Sequence, residues 1–413
     1  MLSHAGVSLV LLSIWGVAFF LLKKKLRTSK FYFVLLFLMG VAGLVLPLEN
    51  WLDIGINNDF NISIIVLFAF LLIGSLIPWL KFDTYLSRVR SIRFNPAYED
   101  IIRILFIVLI ALSTYALLYT LPYAIISYNM GAAEVRAYIQ EDSILPDSPL
   151  TTIAVGVGLL APIYILMFYM SLCSKRLRGY ALPLFLSSLI YLVTSAPFQA
   201  RDGFIMIPLT YFFLYQVFKS SLSKKSIKLV KKIIIIAVPV LLVFLLIITF
   251  DRFYHSGNNN PWQGIISGTW GYFYQQPYVF DQTVQDQTFF HGITYRFPLV
   301  GHILGIPSTG RHLDYNFEYM FGTMYATFYS ATGWGSLIAA TLFFYISWTV
   351  VMSIMNKQRN YFGMIIVFSL YLYFLISGLF YHRLSSESIT IVYLLLILIS
   401  FFVKKYTIVR IKK

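Results

Sequence analysis

Lys231-Lys232-Ile233-Ile234-Ile235-Ile236-Ala237-Val238-Pro239-Val240-Leu241-Leu242-Val243-Phe244-Leu245-Leu246-Ile247-Ile248-Thr249-Phe250-Asp251 holds an uncharged run over 233–250 between two lysines and an aspartate. A hydrocarbon core about 30 Å thick is crossed by about 20 apolar residues of helix. Backbone amides cannot go unpaired in lipid, and this run is too long for a barrel strand, so it reads as a membrane-spanning helix. Working outward, ten further apolar runs lie at about 5–22, 31–48, 62–80, 101–127, 150–172, 180–197, 203–218, 333–354, 361–380 and 389–403. The expected fold is an all-α polytopic membrane protein with about eleven transmembrane helices. Residues 1–250 would hold the first eight, with outer loops at 49–61 and 128–149. Residues 251–332 would form a large outer loop, and 333–413 the last three helices and a basic tail.

Composition agrees with that reading. The 413 residues are 59% hydrophobic and only 12% charged, where a soluble chain carries about a quarter charged residues. The net charge of +15 arises from basic residues between apolar runs, which is the positive-inside pattern and not a nucleic-acid surface. Alternating the runs with the N-terminus outside places 26 of the 32 Lys and Arg in inner segments. The same alternation leaves 14 of the 17 Asp and Glu outside and the C-terminus inside. Lys23, Lys24, Lys25, Arg27 and Lys30 follow the first run instead of preceding it. A secretory signal peptide has the opposite polarity, so an uncleaved first span is expected. The single cysteine, Cys173, excludes a disulfide within the chain and a cysteine-based metal site.

The expected outer side carries six arginines and no lysine: Arg136, Arg201, Arg252, Arg296, Arg311 and Arg383. Charge by itself would admit both residue types. Arginine without lysine points to the planar fork that grips phosphate or carboxylate with two parallel bonds. Arg201 lies in the turn Pro197-Phe198-Gln199-Ala200-Arg201-Asp202-Gly203 between two short runs, which draws it to headgroup level; the plainer reading is a pairing with Asp202 or a lipid. Arg136 ends Gly131-Ala132-Ala133-Glu134-Val135-Arg136, which reads as a short helix beyond the fourth span or simply a solvated surface helix.

The densest cluster lies in the large loop. Arg296 sits in Thr294-Tyr295-Arg296-Phe297-Pro298, and Gly310-Arg311-His312-Leu313-Asp314-Tyr315-Asn316-Phe317-Glu318 follows. A fixed cation suits a diphosphate leaving group, and a histidine titrating near neutrality suits proton transfer from a hydroxyl. Arg136, Arg201, Arg296 and Arg311 are therefore the candidate diphosphate ligands. His312 leads as candidate base, with Asp314 and Glu318 behind it. An ordinary polar loop folded over the spans is the alternative. Arg252 and His255 follow the eighth span directly and mark its interface. Glu49 and Asp53 are four apart, on one face if that stretch is helical. His291, His302 and His312 are too far apart for a helical metal pair, and no HExxH or Asp-x-Asp pattern occurs. Neither a metal nor another cofactor is expected.

These features resemble the bacterial oligosaccharide repeat-unit polymerases of the O-antigen polymerase (Wzy) type. The likeness covers hydropathy and loop plan over most of the chain. It includes a Ser-rich span (Ser187, Ser188, Ser195) leading to Arg201, and a large loop followed by Tyr315-Asn316-Phe317, Thr323, Tyr329 and Gly333-Trp334-Gly335. The stretch is similar to the family's Asn-Phe … Thr … Tyr … Gly-x-x-Gly pattern, with Gly-x-Gly here as a departure. Arg311 and Gly322 echo an Arg-x10-Gly spacing. The resemblance implies a metal-independent GT-C-type glycosyltransferase of the inner membrane. It would join undecaprenyl-diphosphate-linked oligosaccharides on the periplasmic face, with a Wzx flippase and a Wzz-type chain-length regulator as partners and no nucleic acid.

Two other functions compete. An O-antigen ligase shares this plan, but its His-x-Asn-x-x-Leu type signature is not clean, because Asn316 stands four residues after His312. A flippase for the same lipid-linked sugar would carry ionisable or broken-helix sites near the bilayer midplane, whereas these runs are nearly free of charge.

Overall fold

The computed structural model describes residues 3–45, 60–131, 134–135, 138, 143–198, 202–254, 261–286, 290–306, 323–379 and 387–411. In chain order the helices begin with α1 (His4–Leu22), α2 (Lys30–Val45), α3 (Ile62–Gly74) and α4 (Ile77–Leu86), followed by strand β1 (Val89–Phe94). Next come α5 (Glu99–Met130), α6 (Pro149–Gly158), α7 (Ala161–Cys173), α8 (Ala181–Ser188), α9 (Ile190–Ser195), α10 (Asp202–Phe218) and α11 (Lys224–Tyr254). The remainder is α12 (Pro261–Asp286), α13 (Ile293–Arg296), α14 (Pro298–Leu304), α15 (Thr323–Thr332), α16 (Trp334–Lys357), α17 (Tyr361–Ser377), α18 (Glu387–Phe402) and β2 (Thr407–Ile411).

The chain is thus an all-α membrane protein. Among the described residues, six helical stretches are long and apolar enough to cross a membrane: His4–Leu22, Ile62–Leu86, Pro96–Met130, Arg178–Phe198, Lys224–Asp251 and Trp334–Lys357. A seventh arises if α6 and α7, bent by 48° at a short break, count as one span. The remaining four apolar runs coincide with shorter apolar helices, Lys30–Val45, Gly203–Phe218, Tyr361–Ser377 and Thr390–Phe402.

Two compact units form, and neither is continuous in sequence. The first combines Met1–Thr84, Trp262–Ile354 and Phe374–Ile391; the second combines Tyr85–Pro261, Met355–Tyr373 and Val392–Lys413.

In the first unit, the turn between α1 and α2 is fastened by Asp83 of α4. Its buried carboxylate accepts from the amides of Arg27 (2.8 Å), Thr28 (3.1 Å) and Ser29 (3.1 Å) and from the hydroxyls of Thr28 (2.6 Å) and Ser29 (2.5 Å). The α2 N-terminus leaves amides without helical partners, and an anion placed just before it satisfies donors and helix dipole together. The Trp79 indole donates to the Thr28 hydroxyl at 2.8 Å and completes the clamp.

The second unit is organised around α7, whose residues from Ala161 to Leu172 are all buried. A helix apolar on every side belongs inside a bundle. Its few polar groups pair across the neighbouring helices. The Tyr169 hydroxyl donates to the Tyr211 carbonyl (2.7 Å), and hydroxyl pairs join Ser188 to Tyr211 (2.8 Å) and Ser113 to Ser187 (2.7 Å). Two of the serines that stood out in the sequence, Ser187 and Ser188, thereby serve packing between α5, α8 and α10. Strands β1 and β2 form an antiparallel ribbon in this unit.

Candidate functional site

The large loop is mostly helical where it is described, and its helices belong to the first unit. Helix α12 carries polar side chains inward: Gln275, Gln276, Asp281 and Gln282 are each at most 2% exposed. It is anchored at both ends of this stretch. The Tyr278 hydroxyl donates to the His4 carbonyl (3.3 Å) and lies 3.4 Å from the Ser8 hydroxyl, while the His4 ring stacks on Tyr278 with centroids 4.7 Å apart. Phe280 packs on Phe68 of α3.

The Asp281 carboxylate is fully buried. It accepts from the Asn61 amide (3.2 Å to one oxygen, 3.5 Å to the other) and from the Gln285 side-chain amide (2.6 Å). Asn61 is itself the N-cap of α3, its side chain accepting from the Ser63 amide. Burial pushes the Asp281 carboxyl up to about 6, against the opposing pull of the Gln285 and Asn61 donors and with a further push from Asp286. Burial penalises the charged form of a carboxyl, so it titrates late even where neutral donors reach it. Asp281 is not marked locally in the sequence, because its stretch, Pro277-Tyr278-Val279-Phe280-Asp281-Gln282, is mostly apolar.

Helix α13 and the residues just before it form an aromatic and cationic column. The buried His291 ring stacks on Tyr295 with centroids 5.1 Å apart, and the Arg296 guanidinium carbon lies 4.9 Å over the same Tyr295 ring. A guanidinium over a tyrosine face gains about 0.5–2 kcal/mol of cation–π attraction, and the ring limits where the fork can point.

The column is held by the end of α15. The amides of His291 and Gly292 donate to the carbonyls of Ser330 (3.0 Å) and Ala331 (2.9 Å). These are last-turn carbonyls that a helix cannot pair internally. Gly333 then ends α15 in a left-handed conformation (φ 80°), its amide donating to the Tyr329 carbonyl at 2.7 Å. A side chain there would also meet the Phe290 ring at 3.1 Å. The Tyr329 hydroxyl donates to the Val284 carbonyl of α12 (3.2 Å), and its ring meets Phe290 and Trp334 edge-on. At the other end, Thr323 has φ 70°, its hydroxyl accepts from the Tyr325 amide (3.2 Å), and the Met324 amide donates to the Gly378 carbonyl (2.8 Å). Thr323, Tyr329 and Gly333, read from the sequence as motif residues, therefore shape α15 and tie it to α12 and α13.

Of the expected diphosphate ligands, Arg296 is placed here, while Arg136, Arg201 and Arg311 lie outside the described residues. So do His312, Asp314 and Glu318, together with Glu49, Asp53 and His255. Of the stretch expected to be helical before Arg136, Glu134 and Val135 are helical and Gly131 is not. His302, on α14, is exposed and is not part of the column. Among the described residues no three His, Cys, Asp or Glu side chains are grouped to hold a metal.

Comparison with protein-family models, with curated proteins and with solved structures finds no match for this chain.

Proposed function

We propose that the chain is a membrane glycosyltransferase of GT-C type that joins lipid-diphosphate-linked oligosaccharide repeat units on the outer face of a bacterial inner membrane. The observation that carries the reading is Arg296 held on Tyr295 beside His291, on helices of the loop expected to lie outside. The guanidinium offers a permanent charge and a planar fork for a diphosphate. In this reaction the anomeric C–O bond to phosphate breaks. The acceptor sugar hydroxyl forms the new C–O bond, its proton passes to a base, and the lipid diphosphate leaves with the electron pair. Arg296 supports the charge growing on that departing oxygen, with Arg136, Arg201 and Arg311 as its proposed companions. Asp281, ionised at neutral pH and titrating close below it, joins His312 as a candidate acceptor of the proton. In this scheme a Wzx flippase supplies the units and a Wzz-type regulator sets chain length.

A second reading, transport of the same lipid-linked sugar, draws on the 48° break between α6 and α7. Interrupted spans often line substrate paths. One experiment separates these functions: a surface-glycan gel from a host lacking only this gene, with and without its return. Core carrying a single unit that becomes a ladder on restoration is the expected result. Polymer stranded on its carrier would indicate a ligase, and unpolymerised units retained on the inner side a flippase. In the restored strain, Arg296→Lys is expected to lower ladder formation roughly tenfold to a hundredfold, since charge without the fork is insufficient. An undiminished ladder would remove Arg296 from the proposed site.

A further inference from the structure

We infer that the β1–β2 ribbon is a docking surface for anionic phospholipid headgroups. The inference needs the chain only to be a membrane protein and does not depend on the glycosyltransferase reading.

The ribbon stands where a bundle of apolar helices ends. Helix α5 begins five residues after β1, at Glu99, and turns apolar at once. Strand β1 packs on α7, and the Ile92 amide donates to the Ser221 hydroxyl just past α10 (2.7 Å). Nearby, the Arg103 guanidinium donates to the Tyr180 hydroxyl (2.9 Å), the kind of arginine and tyrosine pair found at the level of lipid headgroups.

Within β1, Val89 and Ile92 face inward, 6% and 0% exposed, and Arg90 and Arg93 are exposed, as is Arg88 just before the strand. The register explains the outward aim. Val89 pairs with Ile411 and Ser91 with Arg410, so Arg90 has no opposite residue in the register and sits at the irregularity between them. A bulge of this kind re-aims a side chain away from the ladder. The result is a short paired strand with apolar Val89 and Ile92 buried and the cations Arg90 and Arg93 exposed, with exposed Arg88 immediately before it. The nearby acid Glu99 is engaged by the Ser174 hydroxyl (2.8 Å) and by Arg176 (3.9 Å).

Charge spread along a solvated loop would give the same sidedness without a fixed surface. Here strand pairing sets the backbone spacing of Arg90 and Arg93, with Arg88 at the strand's entry, before any ligand arrives, so less loop ordering opposes binding. A leaflet rich in acidic lipid supplies a two-dimensional array of phosphates at the same height, and each surface arginine strengthens such attraction roughly fivefold. An acidic protein is the competing occupant.

The test uses the full-length protein in nanodiscs of phosphatidylglycerol or of phosphatidylcholine. Limited trypsinolysis follows cutting after Arg88, Arg90 and Arg93. Native mass spectrometry from an equimolar mixture of the two lipids counts what is retained. Cutting at these sites is expected to slow at least tenfold in phosphatidylglycerol, with recovery in 0.5 M salt. The triple variant Arg88→Gln, Arg90→Gln, Arg93→Gln should lose the preference for phosphatidylglycerol by roughly tenfold to a hundredfold. The triple lysine variant at the same positions should keep most of it. A control with Lys228, Lys231 and Lys232 changed to Gln should also keep most of it. Equal loss in the control and the ribbon variant would overturn the inference, leaving only general basic charge. Protection seen in native membranes but in neither nanodisc would also overturn it, in favour of a protein partner.

Discussion

Gly333, Thr323 and Tyr329 show how a residue that looks like chemistry can be architecture. The left-handed φ of Gly333 costs any other residue about 1–2 kcal/mol, and the Phe290 contact at 3.1 Å adds to it. Gly333→Ala is therefore expected to lower the melting temperature in detergent by several degrees, and Gly335→Ala, in the first turn of α16 with open space around it, to leave it unchanged or slightly raised. Equal melting of the two variants would contradict this account of the motif. Asp281 supplies a prediction in pH. Its folded value of about 6 lies above the ordinary carboxylate value of 3.8, so the folded state holds its proton more tightly. The contribution is fully present below about pH 4 and fades as pH rises through about 6. Compared with Asp281→Asn, the wild type should lose at most about 3 kcal/mol over that window. Denaturation of both proteins at pH 4, 5, 6 and 7 gives the difference directly; parallel curves would place Asp281 in a wetter setting than its burial implies. Of the candidate site, Arg296 stands out in the sequence by its residue type, whereas Asp281 and the stacking of His291 do not. Those two owe their character to burial, which depends on which helices cover them.

At the scale of the element, apolar runs were legible because lipid leaves a backbone few alternatives. Where its residues are described, each of the eleven runs falls on helical segments. Helix α12 was not legible. Its Gly264, Gly268, Gly271 and Pro277 are poor helix formers, and its inward face mixes glutamine with tyrosine. What stabilises it is tertiary: the anchors at Tyr278, Phe280 and Asp281. The α1–α2 turn offers a sharper test of an element's end. Removing the Asp83 carboxylate by Asp83→Ala leaves three amides and two hydroxyls without their acceptor. A buried donor left unmatched costs about 1–3 kcal/mol, and solvent entering the turn recovers part of that, so a total loss of about 3–5 kcal/mol is expected. Asp83→Asn, which keeps one accepting oxygen, should lose about half as much. Retention of fluorescence-detected size-exclusion profiles after graded heating measures both; equal stability of the alanine variant and wild type would show that the clamp contributes nothing.

For the whole molecule, the division into two units was hidden because each is assembled from three separated stretches. Hydropathy reports where a helix is apolar but not which helix it touches. The ribbon was hidden for a related reason. Val89-Arg90-Ser91-Ile92-Arg93-Phe94 and Thr407-Ile408-Val409-Arg410-Ile411 are short, basic and 313 residues apart from Phe94 to Thr407, and nothing local marks them as partners. Their pairing closes a long loop of chain, at an entropic cost that rises only slowly with its length. A truncation after Tyr406 tests what the pairing does. It removes β2 and leaves the β1 edge with unpaired amides and carbonyls, a template for contacts with other chains. The helices keep their own backbone bonds, so the truncated protein should still insert and show an unchanged far-ultraviolet spectrum. Trypsin should cut at Arg88, Arg90 and Arg93 at least tenfold faster, and the protein should self-associate more in detergent. Cutting at the wild-type rate would mean that Ile92–Ser221 and the packing on α7 hold β1 without its partner, and the ribbon would then be an accessory to the second unit and not the feature that fixes its arginines.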